Sequence, residues 1–254
     1  TTDELVSRVD LDGKTWLFYR AFPIHVGLIR ATAADPFGNL VMDEEAVIGE
    51  VLPIAQAAHN CGGKVIAQVK RLLDRPAPPN QVKVPGVLVD NVVIADEAEH
   101  PQTFGESLNE AYFSPQTDNE LPGGGQPEKM APGVRRIIAA RACDELLPGA
   151  IANLGIGIPE GVGLIAAERD ILDQITLTLE SGPIGGIPAG GLSFGASAWP
   201  EAIIDQPAQF DFYDGGGLDY AALGAAQVDQ YGNVNVSKFH DRVAGVGGFV
   251  NISQ

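Results

Sequence analysis

The sequence is short of cysteine, histidine pairs, positive charge and long apolar runs, and each shortage removes a class of reading. Its two cysteines, Cys61 and Cys143, show no CxxC spacing and no disulfide framework, which suits a reducing cytoplasm. Both are expected to be small core or surface residues rather than nucleophiles. Lysine and arginine number 16 against 33 acids, a formal charge of −17, which opposes nonspecific binding to nucleic acid or an anionic membrane. A local nest of amides can still hold a small anion. Apolar runs stay far short of a membrane span, and no basic-then-apolar leader opens the chain. Thr1 is not an initiator methionine, so the start is expected to be cut or processed. His25, His59, His100 and His240 make no HExxH or paired spacing, and no metal site is expected. There is no GxSxG elbow and no Walker A sequence, which removes the commonest hydrolase and nucleoside-triphosphate readings.

What is present is an α/β pattern with 45% hydrophobic residues, ample for a core. Trp16–Tyr19 and Val26–Ala31 read as strands, and Asp35-Pro36-Phe37-Gly38-Asn39 is a strong turn. A helix is expected from an N-cap at Asp43 to about His59, divided near Pro53 and ended by Gly62-Gly63. Lys64–Val69 reads as a strand, and Val87–Ala95 as a strand buried on both faces. Strand, helix, strand in this order implies a mainly parallel sheet flanked by helices.

Residues 97–132, with charges, amides, prolines and Gly123-Gly124-Gly125, read as a linker. The expected organisation is a first domain over 1–100, a linker over 101–133 and a second domain over 134–254. The second opens with a helix from Val134 to Leu146, whose Arg135, Arg136 and Arg141 form a solvated face. A strand at Ala150–Leu154, the turn GIGIPEGVG, a helix to about Arg169 and a strand ending at Glu180 follow.

One internal repeat ties the halves together. Leu28–Leu40 and Ala222–Val234 align without gaps, matching Asp35 with Asp229, Gly38 with Gly232 and Asn39 with Asn233 at an offset of 194 residues. Two similarly folded domains are expected. The second has 88 residues before its copy, counted from Val134, and the first has 27. The first domain is therefore expected to lack its front half. The last residues, VNISQ, read as a strand with nothing after it, so both domains are expected to be truncated.

The stretch with the most chemistry is ITLTLESGPIGG, Ile175 to Gly186. Its apolar alternation reads as a strand that ends in a lone acid, Glu180, before a loop too rich in glycine for anything but tight backbone. Two readings use these residues. In one, Ala150–Glu180 is a dinucleotide site of an NAD(P)-dependent oxidoreductase, with the acid on a ribose hydroxyl. Its turn is Gly155-x-Gly157-x-x-x-Gly161, however, and Pro159 and Glu160 sit where bare amides are required. In the other, Glu180 is a covalent nucleophile, which needs a dry site and donors for an oxyanion. The turn Ala244-Gly245-Val246-Gly247-Gly248-Phe249 offers such donors.

The strings NLGIGIPEGVG, LTLESGPIGGIPAGGLSFGAS, IDQPAQFDFYDGGGLD, GNVNVSKF and VAGVGGFVNIS closely resemble the second half of family I coenzyme A transferases, particularly the acetate/propionate, short-chain acyl type. FYRAFPIHVGLIRATAADPFGNL and VKVPGVLVD resemble the end of that family's amino-terminal domain. The resemblance implies two related α/β domains and exchange of coenzyme A between a short-chain acyl thioester and a free carboxylate. It implies that Glu180 is acylated and becomes a glutamyl-coenzyme A thioester. It places Gly155, Ile156, Gly157, Ile158 and Pro159 along the coenzyme A site and Gly245 and Gly247 at an oxyanion hole, with Gly248 beside the coenzyme. Ser181 stands where related transferases often have asparagine. The implied partners are acyl-coenzyme A and short-chain carboxylates, with no metal, nucleic acid or membrane, in a cytoplasmic homo-oligomer.

Overall fold

The computed structural model describes residues 5–116 and 129–249. The glycine run at 123–125 and the strand expected at 250–254 lie outside the described residues. Contacts divide the chain into two compact units, 1–41 with 51–94, and 42–50 with 95–254.

The first unit begins with an antiparallel hairpin, in which β2 (Lys14–Tyr19), the first strand read from the sequence, pairs with a preceding β1 (Val6–Leu11). A five-stranded mixed sheet follows. β3 (Val26–Ala34) pairs in parallel with β5 (Lys64–Leu72), and β5 with β7 (Asn91–Ile94). On its other side β3 continues antiparallel through β4 (Leu40–Val41) to β6 (Val82–Val84).

Helix α1 spans Val51–Asn60 and starts seven residues later than an N-cap at Asp43 implies. Gly49 is the reason: its φ of 62° is a left-handed conformation that no helix interior holds. Pro53 therefore sits in the first turn, where its missing N–H has no partner to lose. Residues 42–50 belong to the second unit, where Glu45, 5% exposed, meets the fully buried His100 at 3.2 Å. The strand expected over Val87–Ala95 is also shorter. Gly86 donates its amide to Asn39 Oδ1 and opens a single 3₁₀ turn, Gly86–Leu88. This leaves β7 as an edge strand with Val93 and Ile94 half exposed.

The second unit carries a sheet of matching design. Its parallel part is β9 (Thr176–Thr178), β8 (Ile151–Leu154) and β14 (Tyr220–Ala222), with β8 in the middle. β9 continues antiparallel into β10 (Pro183–Ile184), and β10 into β13 (Ala202–Ile203). A small ribbon, β11 (Ile187–Pro188) with β12 (Ser197–Ala198), lies between them in the chain. Both sheets are thus three parallel strands extended by two antiparallel ones, an α/β architecture more mixed than the expected mainly parallel one. Helices α2 (Val134–Cys143) and α3 (Glu160–Glu168) pack Ala139, Cys143, Val162 and Ile165 on Leu154 and Leu177 of the sheet. Arg136 is not merely solvated, because its guanidinium makes two hydrogen bonds, of 2.7 and 2.6 Å, with Glu168 on α3. After α4 (Gln206–Phe212) and β14, the ribbons β15 (Gln227–Val228) with β16 (Val234–Asn235), and β17 (Lys238–Phe239) with β18 (Arg242–Val243), complete the described part. Among the described residues no helix is long and apolar enough to cross a membrane.

The repeated turn has the same hydrogen bonds twice. Asp35 Oδ1 accepts from the Phe37 and Asn39 amides at 2.8 and 2.9 Å, and Oδ2 from Asn39 Nδ2 at 3.0 Å. Asp229 Oδ1 accepts from Tyr231 and Asn233 at 2.8 and 2.9 Å, and Oδ2 from Asn233 Nδ2 at 2.8 Å. Gly38 and Gly232 take φ of 78° and 84°. Asp35 accepts one bond more, from the Ala77 amide.

Candidate functional site

Because β8, β9 and β14 run parallel, their carboxyl ends emerge on one edge of the sheet. In open α/β sheets that edge is where ligands bind. β8 gives way to the turn at Gly155, β9 to Glu180 and β14 to Leu223. All three line one cavity of about 890 Å³, within the size range of small-molecule sites.

Glu180 is half-buried in this cavity, and among the described residues no lysine, arginine or histidine is in the lining. Among the described residues its carboxylate has no hydrogen-bond or ion-pair partner. Burial alone pushes its pKa above the usual glutamate value. Phe194, Tyr220, Leu223, Val246 and Phe249 supply an apolar wall.

The structure brings most of the expected residues to the same cavity. Gly155, Ile156, Ile158 and Pro159 line it from the β8 turn, and Gly247 and Gly248 from the glycine turn. Among the described residues the Gly247 and Gly248 amides donate to no protein acceptor. Gly157 and Gly245 are outside the lining. The Gly157 amide is taken by Glu160 Oε1 at 3.0 Å, so the β8 turn holds its own carboxylate where a dinucleotide pyrophosphate would need a bare amide. Gly245 donates to Ser237 O at 3.1 Å. No group of three histidine, cysteine, aspartate or glutamate side chains among the described residues is placed to hold a metal.

Two supports around Glu180 carry no motif in the sequence. The first holds the loop after it. Gly182 sits at φ 120°, and a Cβ there would lie 2.0 Å from Ile204 O, so only glycine lets the chain leave Glu180 by this route. Ser181 Oγ donates to Gly195 O, closing the loop on itself. Ser193 Oγ, in the same loop, donates to Glu106 Oε2 at 2.7 Å, and Glu106 also accepts from the Tyr112 hydroxyl and from Asn109 Nδ2. The Tyr112 bond, with that of Ser193, holds the Glu106 carboxyl below the usual range. The front of the stretch that reads as a linker is therefore part of the second unit.

The second support lies behind the strand. Tyr213 follows α4 at the start of a wide helical turn, Tyr213–Gly217. Its hydroxyl donates to Thr178 Oγ1 at 2.7 Å and accepts from Gln209 Nε2 at 2.9 Å and Asn153 Nδ2 at 3.3 Å. Asn153 Oδ1 and Gln209 Oε1 are buried without a partner among the described residues, a cost of about 1–3 kcal/mol each.

A coenzyme A transferase family profile matches residues 4–95. Caffeate CoA-transferase of Acetobacterium woodii is 44% identical over 265 residues, covering all of this chain and 49% of that protein. Acetate CoA-transferase YdiF of Escherichia coli K12 is 39% identical over 255 residues, covering all of this chain and 47% of that protein.

Residues 4–95 carry the coenzyme A transferase profile, and the whole chain is similar to transferases of that kind.

A crystal structure of the acyl-CoA transferase YdiF of E. coli O157:H7, described as a thioester complex with CoA, shares the fold with a TM-score of 0.83 at 39% identity. It is matched over all of this chain and 48% of its own. The chain spans about half the length of the curated relatives it matches. The transferase family is thus supported along both units, while the profile match lies in the first.

Proposed function

We propose that this chain carries the nucleophile of a coenzyme A transferase that exchanges coenzyme A between a short-chain acyl thioester and a free carboxylate. The observation that carries the reading is Glu180, an acid that has no counter-ion among the described residues and sits just past the end of β9 in an apolar cavity. A half-buried carboxylate is less well solvated than an exposed one, which raises its energy, and forming a neutral acyl derivative relieves it.

In the proposed cycle a Glu180 oxygen attacks the thioester carbonyl and expels the coenzyme A thiolate, leaving a mixed anhydride. The thiolate attacks the glutamyl carbonyl, releasing the donor carboxylate and leaving a glutamyl thioester. The acceptor carboxylate then runs both steps in reverse, so every bond broken is matched by one formed. The Gly247 and Gly248 amides, without protein acceptors among the described residues, are suited to each tetrahedral oxyanion, and one such donor typically contributes about 3 kcal/mol. Gly155 to Pro159 would lie along the coenzyme, with Gly245 shaping the amide turn. The two units correspond, on this reading, to the family's two related domains. The free thiols Cys61 and Cys143 suit a cytoplasmic protein, and we take a homo-oligomer as its working form.

The test is a mass increase on Glu180 when the full-length protein meets an acyl-coenzyme A with no acceptor. Glu180→Gln should abolish both adduct and turnover with the fold intact; substantial residual exchange would remove the glutamate from this role. Adduct formation should fall as pH drops through the raised Glu180 pKa, so its acid limb lies above that of an ordinary glutamate.

A further inference from the structure

We propose that Tyr213 is a positioning residue for Glu180, acting through the backbone of the two residues before it. The inference rests on the reading of Glu180 as nucleophile and adds the group that aims it.

The direction of every hydrogen bond in this cluster follows from counting protons. Thr178 Oγ1 donates its one proton to Ala152 O at 3.1 Å, so it can only accept from Tyr213. The Tyr213 hydroxyl then has no proton left and presents lone pairs to both amides. Both must turn their NH₂ groups toward it, which leaves Asn153 Oδ1 and Gln209 Oε1 without donors. Each NH₂ has a second proton, and both go to the strand end. Asn153 Nδ2 donates to Thr178 O at 3.3 Å and Gln209 Nε2 to Leu179 O at 3.2 Å.

One hydroxyl thus orients two side chains that hold the two carbonyls preceding Glu180. Leu179 O also accepts the Gly182 amide, so the same carbonyl sets where the glycine loop departs. Asn153 is 2% exposed and Gln209 fully buried. A fold that needed only packing here would place apolar side chains and avoid two orphan acceptors; a network kept at that cost specifies geometry. The Tyr213 ring is held independently, edge-on to Phe210 at 5.8 Å and tilted against Phe212 at 6.1 Å.

The test compares full-length wild type, Tyr213→Phe, Thr178→Val, Thr178→Ser and Cys143→Ala, the last a core truncation in the same unit away from this cluster. Three quantities are read: the rate of adduct formation on Glu180, the KM for acyl-coenzyme A, and hydrogen exchange at the amides of 179–182. Tyr213→Phe and Thr178→Val should slow the adduct by roughly 10- to 100-fold, the scale of a misplaced reacting group. KM should stay within about threefold, since the cluster lies behind the strand and not in the lining, and exchange at 179–182 should rise about tenfold or more as its carbonyl anchors loosen. Thr178→Ser should restore both. Cys143→Ala should lower the melting temperature without moving either. The proposal is overturned if Tyr213→Phe behaves like Cys143→Ala. If wild type forms no adduct, the nucleophile reading falls, and the exchange result alone decides whether Tyr213 positions this backbone.

Discussion

Asp35 and Asp229 accept the same three hydrogen bonds from their own turns, yet only Asp35 is buried, at 4% exposure. Desolvation opposes its charge, but the Asn39 side chain and the Ala77, Asn39 and Phe37 amides outweigh it and hold the pKa below the usual value. Removing the carboxylate leaves the buried Ala77 amide without its acceptor. Asp35→Ala should therefore cost about 3 kcal/mol, and Asp229→Ala, where solvent replaces the bonds, about 1 kcal/mol or less. Urea unfolding of the two variants measures the difference. At this scale Glu180 was legible because a lone acid after an apolar strand has no other partner in the pattern. Tyr213, Gln209 and Asn153 were not, because hydrogen bonds between residues 25 to 60 positions apart leave no local spacing to read.

Among elements, α2 and α3 are joined by Arg136 and Glu168, and the paired guanidinium holds Glu168 at about 2, well below its ordinary 4.5. A carboxyl lowered by folding stabilises in full above its unfolded pKa and loses that contribution as pH falls toward the folded one. Glu168→Gln should be less stable than wild type at neutral pH, and the gap should narrow between about pH 4.5 and 2. Unfolding curves at several pH values follow it. Arg136 reads as solvated because three arginines on one helix look like an outer face; only the opposing helix reveals the partner. Among the elements read from period and glycine, β2, β3, β5, β8, β9, α2 and α3 are present. α1 and β7 are shorter than read, where Gly49 and the Gly86 amide bend the backbone, and α4 and most of the two- and three-residue strands have no period long enough to read.

For the molecule as a whole, 33 acids against 16 bases mean that surface charge repels itself at neutral pH. Screening shortens that repulsion to about 10 Å at 0.1 M salt. Raising salt from about 20 to 300 mM should therefore increase the melting temperature by about 2–4 °C in a simple 1:1 electrolyte. An unchanged or lower value would mean that attractive pairs outweigh the excess of acids. The thirteen-residue repeat led to an expectation of two similarly folded domains; its copies share their turn hydrogen bonds, but the first joins two strands of a five-stranded sheet and the second an exposed two-stranded ribbon.

The hydrogen bonds around Tyr213 run one way and stop at the Ala152 carbonyl oxygen. A backbone carbonyl has no proton to hand on and little basicity with which to take one. As a proton wire the cluster is a dead end. No proton relay to Glu180 runs through this cluster; what it offers the strand end is fixed dipoles.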